Sequence, residues 1–493
     1  MTKNSFYTLL VLGLFSGLLL KAETSKPNII LIFSDDQGWA DTSVHMHPDR
    51  KDSRKGIYHT PNLERLAAEG MIFSQAYAGA PQCAPSRAAL MFGQTPTRLA
   101  HTTNAGDNLV PDRSHKFTIP QAIRLVHPEY ATAHLGKWHV PKLQPEVAGF
   151  DVHDGYTGNG GGEYYEAHKG KDKKKLPPED PKQIYTISER ACDFIAQQAK
   201  AKKPFYLQIS HYAVHVSLQS RAKTLERTKK RLATTHPKLH QRTIDFAAMV
   251  EDLDIGVGMI LDEVEKQGIK DNTYIIFTSD NGGFSYANTS GQNTPLKGGK
   301  RWLYEGGIRV PFVIQGPKIK AGTYCNQPII NWDFLPTFYD LVGGTEALSQ
   351  DLELDGGSFR AYLEGDENAK INRGTEDFVW RFLKWEGLPH DPVHPAAAIR
   401  RGNHKLYYSY YTRKYELFDV ANDIEEAKDL MESMPELASD LKKSMKQYFD
   451  SVDAQDYWIH RKDGKRNLIG KEGLEEEIKR HQKEALEGKR KAQ

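Results

Sequence analysis

Apolar runs and amphipathic segments alternate through the first half of the chain. Residues 27–33 (PNIILIF) and 273–278 (TYIIFT) are almost continuously apolar, which is typical of parallel strands buried on both faces. Between them, Thr60 as N-cap, Pro61 at the first helical position and Gly70 as the stop predict one helix, and residues 242–265 predict a longer one. This order favours an α/β fold, with a mostly parallel sheet and helices on both faces.

The pattern of predicted secondary structure changes near residue 376. Short strands are predicted at 378–382, 397–410 and 415–420, followed by a helix at 436–449. We therefore predict a catalytic domain over 23–375, a smaller α+β subdomain with an antiparallel sheet over 376–462, and a charged tail over 463–493. Two lysine-rich stretches, 169–175 and 221–230, are interpreted as solvated surface loops in preference to polyanion-binding segments.

Composition and charge narrow the class of protein. The 493 residues are 39% hydrophobic and 10% aromatic, which fits a chain with a large folded core. The formal net charge is only +2, so nothing favours nucleic acid or an anionic membrane as partner. Three cysteines, Cys83, Cys192 and Cys325, are too few for a disulfide scaffold, and pairing of the last two stays open.

The N-terminal residues 1–22 have the pattern of a signal peptide. Lys3 precedes an apolar stretch over 6–20, which is shorter than a membrane-spanning helix, and Lys21 follows it. The less favoured interpretation is a buried N-terminal helix. We therefore expect an exported protein, either periplasmic or secreted.

Polar side chains follow both central strands. Asp35 and Asp36 come after the first strand, and Asp280 and Asn281 come after the second. Ligands bind at the carboxyl ends of strands in such sheets, and these oxygen donors suit Ca²⁺ better than Zn²⁺. A simple helix-capping role for the aspartates is the alternative.

A cysteine lies between these strands at a predicted helix N-terminus. Pro85 predicts a helix that begins at Ser86, which leaves Cys83 just outside it, where free N–H groups and the helix dipole favour an anion. Arg87 can face the same pole. The residues alone fit an anion-binding nucleophile or, about equally well, a buried structural cysteine.

The segment CAPSR (83–87) matches the Cys-x-Pro-Ser-Arg signature of the type I, formylglycine-dependent sulfatases. Further motifs follow in family order: TPNL (60–63), GKWH (136–139), SDNGG (279–283), GGK (298–300) and YEGGIRVP (304–311). Over roughly residues 27–430 the chain thus resembles this family. The resemblance implies an alkaline-phosphatase-like fold and oxidation of Cys83 to formylglycine by a formylglycine-generating enzyme.

The resemblance also implies roles for individual residues. The Ca²⁺ ligands would be Asp35, Asp36, Asp280, Asn281 and the formylglycine at position 83, with Arg87 activating the formylglycine hydrate and Lys137 and Lys300 contacting the sulfate. His139 would be the base that releases sulfate, and His215 the acid that protonates the leaving group. His139 is expected to share a face with Lys137 on an extended segment, although a core histidine is the alternative. We choose His215 over His211, and Lys300 over Lys297, because the family's residues fall there.

The expected function is hydrolysis of an O-linked sulfate ester on a sulfated carbohydrate. The alternatives are an arylsulfatase for small aryl sulfates, a phosphomonoesterase or phosphodiesterase of the same superfamily, and a non-catalytic sugar-binding relative. Trp380, Trp385, His390 and His394 are candidates for stacking on sugar rings, and filling the domain interface is an equally weighted alternative.

Overall fold

The computed structural model describes residues 26–104, 117–159, 178–284, 293–344, 353–384, 386–388 and 391–452, with short stretches between 454 and 483. The predicted signal peptide and the lysine-rich stretch 169–175 lie outside the described residues, as does most of the predicted charged tail. Within the described part of the chain, no helix is both long and apolar enough to cross a bilayer.

An eight-stranded sheet forms the centre of the molecule, in the order β5-β4-β6-β1-β7-β8-β2-β9. Its strands are β1 (Asn28–Ser34), β2 (Met71–Phe73), β4 (Ala131–Gly136), β5 (Val152–His153), β6 (Phe205–Ser210), β7 (Thr273–Ser279), β8 (Phe312–Gln315) and β9 (Thr323–Cys325), while β3 (Ala76–Tyr77) pairs with β10 (Ile329–Ile330). β1 runs parallel to both β6 and β7, and β8 is antiparallel to its neighbours β7 and β2. The predicted mostly parallel sheet is confirmed.

Helices cover both faces of this sheet. They are α1 (Pro61–Ala68), α2 (Cys83–Phe92), α3 (Ile119–Val126), α4 (Ile184–Ala201), α5 (Ala222–Thr235), α6 (Gln241–Lys266), α7 (Glu305–Ile308), α8 (Phe334–Leu341) and α9 (Arg360–Leu363). Ile30 and Ile32 of β1 pack into the core with α4 and α6, and the alternate Leu31 and Phe33 pack into the core with α2 and α8. Burial on both faces explains why β1 is apolar at every position.

A four-stranded antiparallel sheet follows, in the order β11-β14-β15-β16. Its strands are β11 (Phe378–Phe382), β14 (Ala396–Arg401), β15 (His404–Ser409) and β16 (Lys414–Asp419); two-stranded pairs are formed by β12 (Glu386–Leu388) with β13 (Asp391–Val393) and by β17 (Trp458–Lys462) with β18 (Lys465–Ile469). Helix α10 (Pro435–Ser451) packs on one face of the four-stranded sheet, and the other face packs against the large domain.

Three sequence predictions need correction here. A single strand over 397–410 is wrong, because Gly402 at φ +52° allows a tight turn between β14 and β15. The loop expected at 221–230 is largely helix α5. A sugar-stacking role for Trp380 is wrong, since this side chain is fully buried and its Nε1 donates to the Ala78 carbonyl at 2.9 Å.

The structure also bears on the other candidates for sugar stacking and on the pairing of the cysteines. The half-buried ring of His394 stacks on Tyr411, with ring centroids 4.4 Å apart, while the side chains of Trp385 and His390 lie outside the described residues. All three cysteines are free, so Cys192 and Cys325 do not pair.

Candidate functional site

The carboxyl ends of β1 and β7 bring four oxygen donors together. Ser34 and Ser279 are register partners, so the residues that follow each strand emerge side by side. The main-chain N–H of Asp36 donates to Asp280 Oδ1 at 3.1 Å, and Asn281 Nδ2 donates to Asp36 Oδ1 at 2.8 Å. All of these side chains are buried. Their proximity is the one expected from the adjacent carboxyl ends of two parallel strands.

Cys83 is the first residue of α2, with Gln82 as N-cap. The prediction that the helix begins at Ser86 is therefore wrong: Pro85 fits within the first turn, which needs no N–H from it, and the Ser86 N–H donates to the Gln82 carbonyl at 3.2 Å. The Cys83 thiol still lies at the N-terminal pole of the helix. Its Sγ is 3.4 Å from Asp35 Oδ1 and 3.8 Å from Asp36 Oδ1.

Three buried cations surround this cysteine and its neighbouring carboxylates. Lys137 Nζ is 2.5 Å from Asp35 Oδ2, and Lys300 Nζ is 2.7 Å from Asp36 Oδ2 and 3.4 Å from Cys83 Sγ. Arg87 donates from Nε to Asp280 Oδ2 at 2.9 Å and from Nη1 to the Lys137 carbonyl at 2.6 Å. Lys297, the less favoured alternative to Lys300, lies elsewhere, with its Nζ 3.9 Å from the centroid of the Tyr304 ring.

The charges of the cluster set the protonation of its carboxyl groups. Burial by itself raises the pKa of Asp35, but Lys137, His215 and Arg87 outweigh it and hold that pKa well below its usual range. Burial and then the charge of Asp35 raise the pKa of Asp280 to about 6. The negative charge of these buried acids is therefore stabilised by the nearby cations.

Of the two candidate histidines after β6, the predicted His215 reaches the site. Its Nε2 is 3.6 Å from Asp36 Oδ2, and its Nδ1 is 2.7 Å from the Val216 carbonyl, which assigns the proton of the neutral ring to Nδ1. The His211 side chain is fully buried and, among the described residues, neither ring nitrogen has a hydrogen-bond partner. Burial lowers the pKa of His211 to about 4, so this ring is neutral.

His139 is close to the cations, but its backbone differs from the prediction. Its φ of +50° lies in the left-handed region, so an extended segment with Lys137 is wrong. Thr157 holds the turn instead, since its carbonyl accepts from the His139 N–H at 2.8 Å and its hydroxyl donates to the Gly136 carbonyl at 2.6 Å. Burial, followed by the charges of Lys137 and Arg87, lowers the pKa of His139 well below its usual value, which keeps the ring neutral.

Two further residues at the site escape sequence reasoning. Lys182 donates from Nζ to the His215 carbonyl at 3.0 Å, a contact that no local pattern announces. Arg301 is half-buried, and its main-chain N–H donates to the Pro81 carbonyl at 2.7 Å. Its side chain interacts electrostatically with Asp36 and Cys83. Its position directly after Lys300 is the signal that could have found it.

The donor set fits a hard divalent cation. Carboxylate oxygens of Asp35, Asp36 and Asp280 lie within 4.8 Å of one another and of Cys83 Sγ, a span that Ca²⁺ can bridge between the oxygens with its 2.3–2.6 Å bonds. Asn281 Oδ1 is buried and, within the described residues, accepts no hydrogen bond. A buried carbonyl oxygen without a donor, beside three carboxylates, is the chemistry expected of a metal ligand.

Comparison with known proteins decides the family. The family model described as Sulfatase matches residues 27–344, and a second one, described as N-sulphoglucosamine sulphohydrolase, C-terminal, matches residues 298–454. The chain belongs to the sulfatase family. It is accordingly a sulfuric ester hydrolase, and its fold is the alkaline-phosphatase-like fold that the motifs imply.

Individual sulfatases and solved structures agree with this assignment. The chain is 28% identical to a sulfatase of Formosa agariphila, over 88% of this chain and 90% of that protein. It is 33% identical to the N-acetylgalactosamine-6-sulfatase of Mus musculus, over 66% of this chain and 64% of the mouse protein. The crystal structure of Ps i-CgsB in complex with k-i-k-neocarrahexaose is 28% identical and superposes with a TM-score of 0.69, over 86% of this chain and 92% of that one.

Proposed function

We propose that this sulfatase releases sulfate from a sulfated carbohydrate, using formylglycine made from Cys83 and a Ca²⁺ ion held by Asp35, Asp36, Asp280 and Asn281. The observation that carries the proposal is the position of Cys83. Its Sγ lies at the N-terminal pole of α2, next to two carboxylates and 3.4 Å from Lys300 Nζ.

The surroundings of Cys83 make an unmodified thiol a poor nucleophile. Burial, followed by the charges of Asp280 and Asp35, raises the pKa of the thiol well above its usual value, so the reactive thiolate is disfavoured. Conversion to formylglycine would remove this difficulty, because the aldehyde hydrate supplies one hydroxyl for attack on sulfur and a second for release of sulfate. A formylglycine-generating enzyme is then a required partner during maturation.

The metal site complements that conversion. A bound Ca²⁺ would polarise a sulfate oxygen and favour the ionised nucleophile. The chain provides three carboxylates and the Asn281 carbonyl oxygen for it, all at the carboxyl edge of β1 and β7.

The fixed cations suit a sulfate ester. Arg87, Lys137 and Lys300 are almost fully buried, so their charges act at low local dielectric on the oxygens of a bound sulfate. His139 is neutral and can accept a proton during sulfate release. His215 is half-buried near the acidic cluster, where its Nε2, in the doubly protonated form of the ring, can donate to a leaving oxygen.

A carbohydrate substrate is supported by the names of the relatives. They include N-acetylgalactosamine-6-sulfatases and an N-acetylglucosamine-6-O-sulfatase of Bacteroides thetaiotaomicron, and the structural relative Ps i-CgsB was solved with k-i-k-neocarrahexaose. We propose a sugar sulfate ester on this basis. We also propose that residues 1–22 direct export, which N-terminal sequencing of the mature protein and cell fractionation would test.

The experiment measures the chemical state of residue 83 and the release of sulfate in the same protein. The protein is produced with a formylglycine-generating enzyme, the peptide containing residue 83 is analysed by mass spectrometry, and sulfate release is measured on sulfated sugars, nitrophenyl sulfate and nitrophenyl phosphate with Ca²⁺. We expect an aldehyde at position 83, release of sulfate from at least one sugar, and loss of activity in Cys83→Ala. An active enzyme that retains the thiol would overturn the mechanism, and activity on aryl sulfates alone would overturn the substrate class.

A further inference from the structure

Positive charge is concentrated on one segment of the chain. Residues 221–242 contain eight lysines and arginines and a single acid, Glu226, so they carry a net charge of +7 in a chain whose total is +2. The remaining residues therefore carry a net charge of −5. Electrostatic attraction for a polyanion is accordingly favoured at this segment.

Helix α5, which forms most of this segment, has one buried face and one exposed face. Thr224, Thr228 and Leu232, each four residues from the next, are fully buried where α5 packs on α6. The exposed side chains of Lys223, Lys229 and Lys230 form what we call the α5 basic face.

The lysines of the α5 basic face have no competing protein contacts. Among the described residues, none of the three side chains makes an ion pair or a hydrogen bond, whereas Arg227 of the same helix donates to Glu251 at 2.7 Å. Lys223 and Lys230 are separated by two helical turns, about 10 Å along the axis. Charged groups repeated along an extended chain can therefore contact both.

The α5 basic face begins beside the proposed active site. Helix α5 starts seven residues after His215, and its preceding residue, Arg221, is fixed by hydrogen bonds to Asp252 Oδ2 at 2.7 Å and to the Glu179 carbonyl at 2.8 Å. Lys182, from the same neighbouring segment as Glu179, donates to the His215 carbonyl. The first turn of α5 is thus connected to the loop that carries His215.

From this charge, exposure and position we infer that the α5 basic face binds a sulfated polysaccharide outside the catalytic pocket. The inference rests on the proposed function, because a sulfated polymer is the polyanion that such an enzyme must engage. Contacts at the α5 basic face would raise the local concentration of sulfate esters at the pocket. They would not alter the chemistry of a single small ester.

The test compares polymer binding with small-substrate turnover. The triple variant Lys223→Glu, Lys229→Glu, Lys230→Glu is compared with a control that has the same charge change on the C-terminal subdomain: Lys414→Glu, Lys428→Glu, Lys443→Glu. These control lysines are also exposed. Affinity for chondroitin 6-sulfate chains is measured between 50 and 200 mM salt in a Cys83→Ala background, so that binding does not depend on turnover. The same charge variants in the matured enzyme are assayed with the most active small substrate.

We expect the α5 variant to bind the polymer at least tenfold more weakly than the control, with a log–log salt slope smaller by about 3, one for each lost contact. Its kcat/KM for the small substrate should equal that of the control. Equal polymer binding by the two variants, or no polymer binding by the parent protein, would overturn the inference. So would tighter binding of duplex DNA at matched salt, which would identify a nucleic-acid surface. Failure of the proposed function would appear separately, as an absence of sulfate release from every sugar.

Discussion

Lys405 and Glu305 form an ion pair of 2.7 Å between two fully buried side chains. Lys405 belongs to β15 of the C-terminal sheet, and Glu305 begins α7, five residues after Lys300. Lys405 Nζ also donates to the Leu303 carbonyl at 3.1 Å and lies 2.8 Å from Glu426 Oε1. The C-terminal sheet is thereby joined to the segment that positions Lys300.

Replacement of Lys405 by methionine should destabilise the protein strongly. The substitution leaves the Glu305 carboxylate buried without its lysine partner, and loss of one partner of a buried pair typically costs about 3–5 kcal/mol. Urea unfolding of Lys405→Met measures this cost, and Lys414→Met, an exposed lysine on the adjacent strand, is the matched control. A cost below about 1 kcal/mol, typical of an exposed pair, would contradict the role given to the buried ion pair.

Glu426 should make the stability of the protein depend on pH. Burial raises its pKa above the ordinary value of 4.5, Lys405 lowers it and Glu305 raises it, and the result of all three is a pKa of about 7. The folded state therefore binds the Glu426 proton more tightly than the unfolded state. This contribution to the free energy of unfolding is complete below pH 4.5 and is lost as the pH rises through 7.

The matching experiment uses Glu426→Gln, which imitates the protonated acid. Unfolding free energies of both proteins are measured between pH 5 and 7.5. The stability of the parent relative to the variant should fall as the pH rises, by at most about 1.4 kcal/mol per pH unit. Parallel stability curves would show that Glu426 does not titrate in this window.

Arg87 should not tolerate replacement by lysine. Its guanidinium contacts Asp280 and the Lys137 carbonyl at the same time, and an ammonium group cannot reproduce that fork. We expect kcat/KM of Arg87→Lys to fall about 100-fold or more, the effect of misplacing groups by roughly 1 Å. Arg54→Lys, at the surface, is the control. Full activity in Arg87→Lys would mean that only the charge at this position matters.

The parts of the fold that sequence reasoning predicts well are those determined by local chemistry. The unbroken apolar runs of β1 and β7 can satisfy both faces only as central strands, and Thr60 with Pro61 marks the start of α1. Asp35, Asp36, Asp280 and Asn281 meet because parallel strands end at one edge.

The failures depend on contacts between distant residues. The left-handed turn at His139 is held by Thr157. Trp380 is buried in an apolar cluster with Tyr77 and Trp332, and it donates to the Ala78 carbonyl, 302 residues earlier. The buried face of helix α5 has a single large apolar residue, Leu232, beside Thr224 and Thr228, so the apolar periodicity that would predict a helix is weak. The turn at His139 and the burial of Trp380 cannot be predicted from neighbouring residues.

Removal of divalent cations should abolish activity and lower thermal stability. Without a cation, Asp35, Asp36 and Asp280 share one buried cluster whose repulsion only the fixed cations offset. Dialysis against a calcium-selective chelator should lower Tm and activity together, and Ca²⁺ should restore both more effectively than Mg²⁺. Asn281→Ala should raise the Ca²⁺ concentration needed for half-maximal recovery of Tm. An unchanged Tm and activity in the stripped protein would exclude the proposed metal site.

Loss of His215 should depend on the leaving group. A sugar alkoxide needs a proton as the ester bond breaks, whereas nitrophenolate leaves without one, so general acid catalysis matters only for the sugar ester. We expect His215→Asn to lower kcat about 10²–10⁴-fold on a sugar sulfate and far less on nitrophenyl sulfate. His211→Asn changes a histidine of the same segment that does not reach the acidic cluster, and should affect both substrates equally. An equal loss on both substrates in His215→Asn would instead assign His215 to positioning of the cluster around Asp36, 3.6 Å from its Nε2.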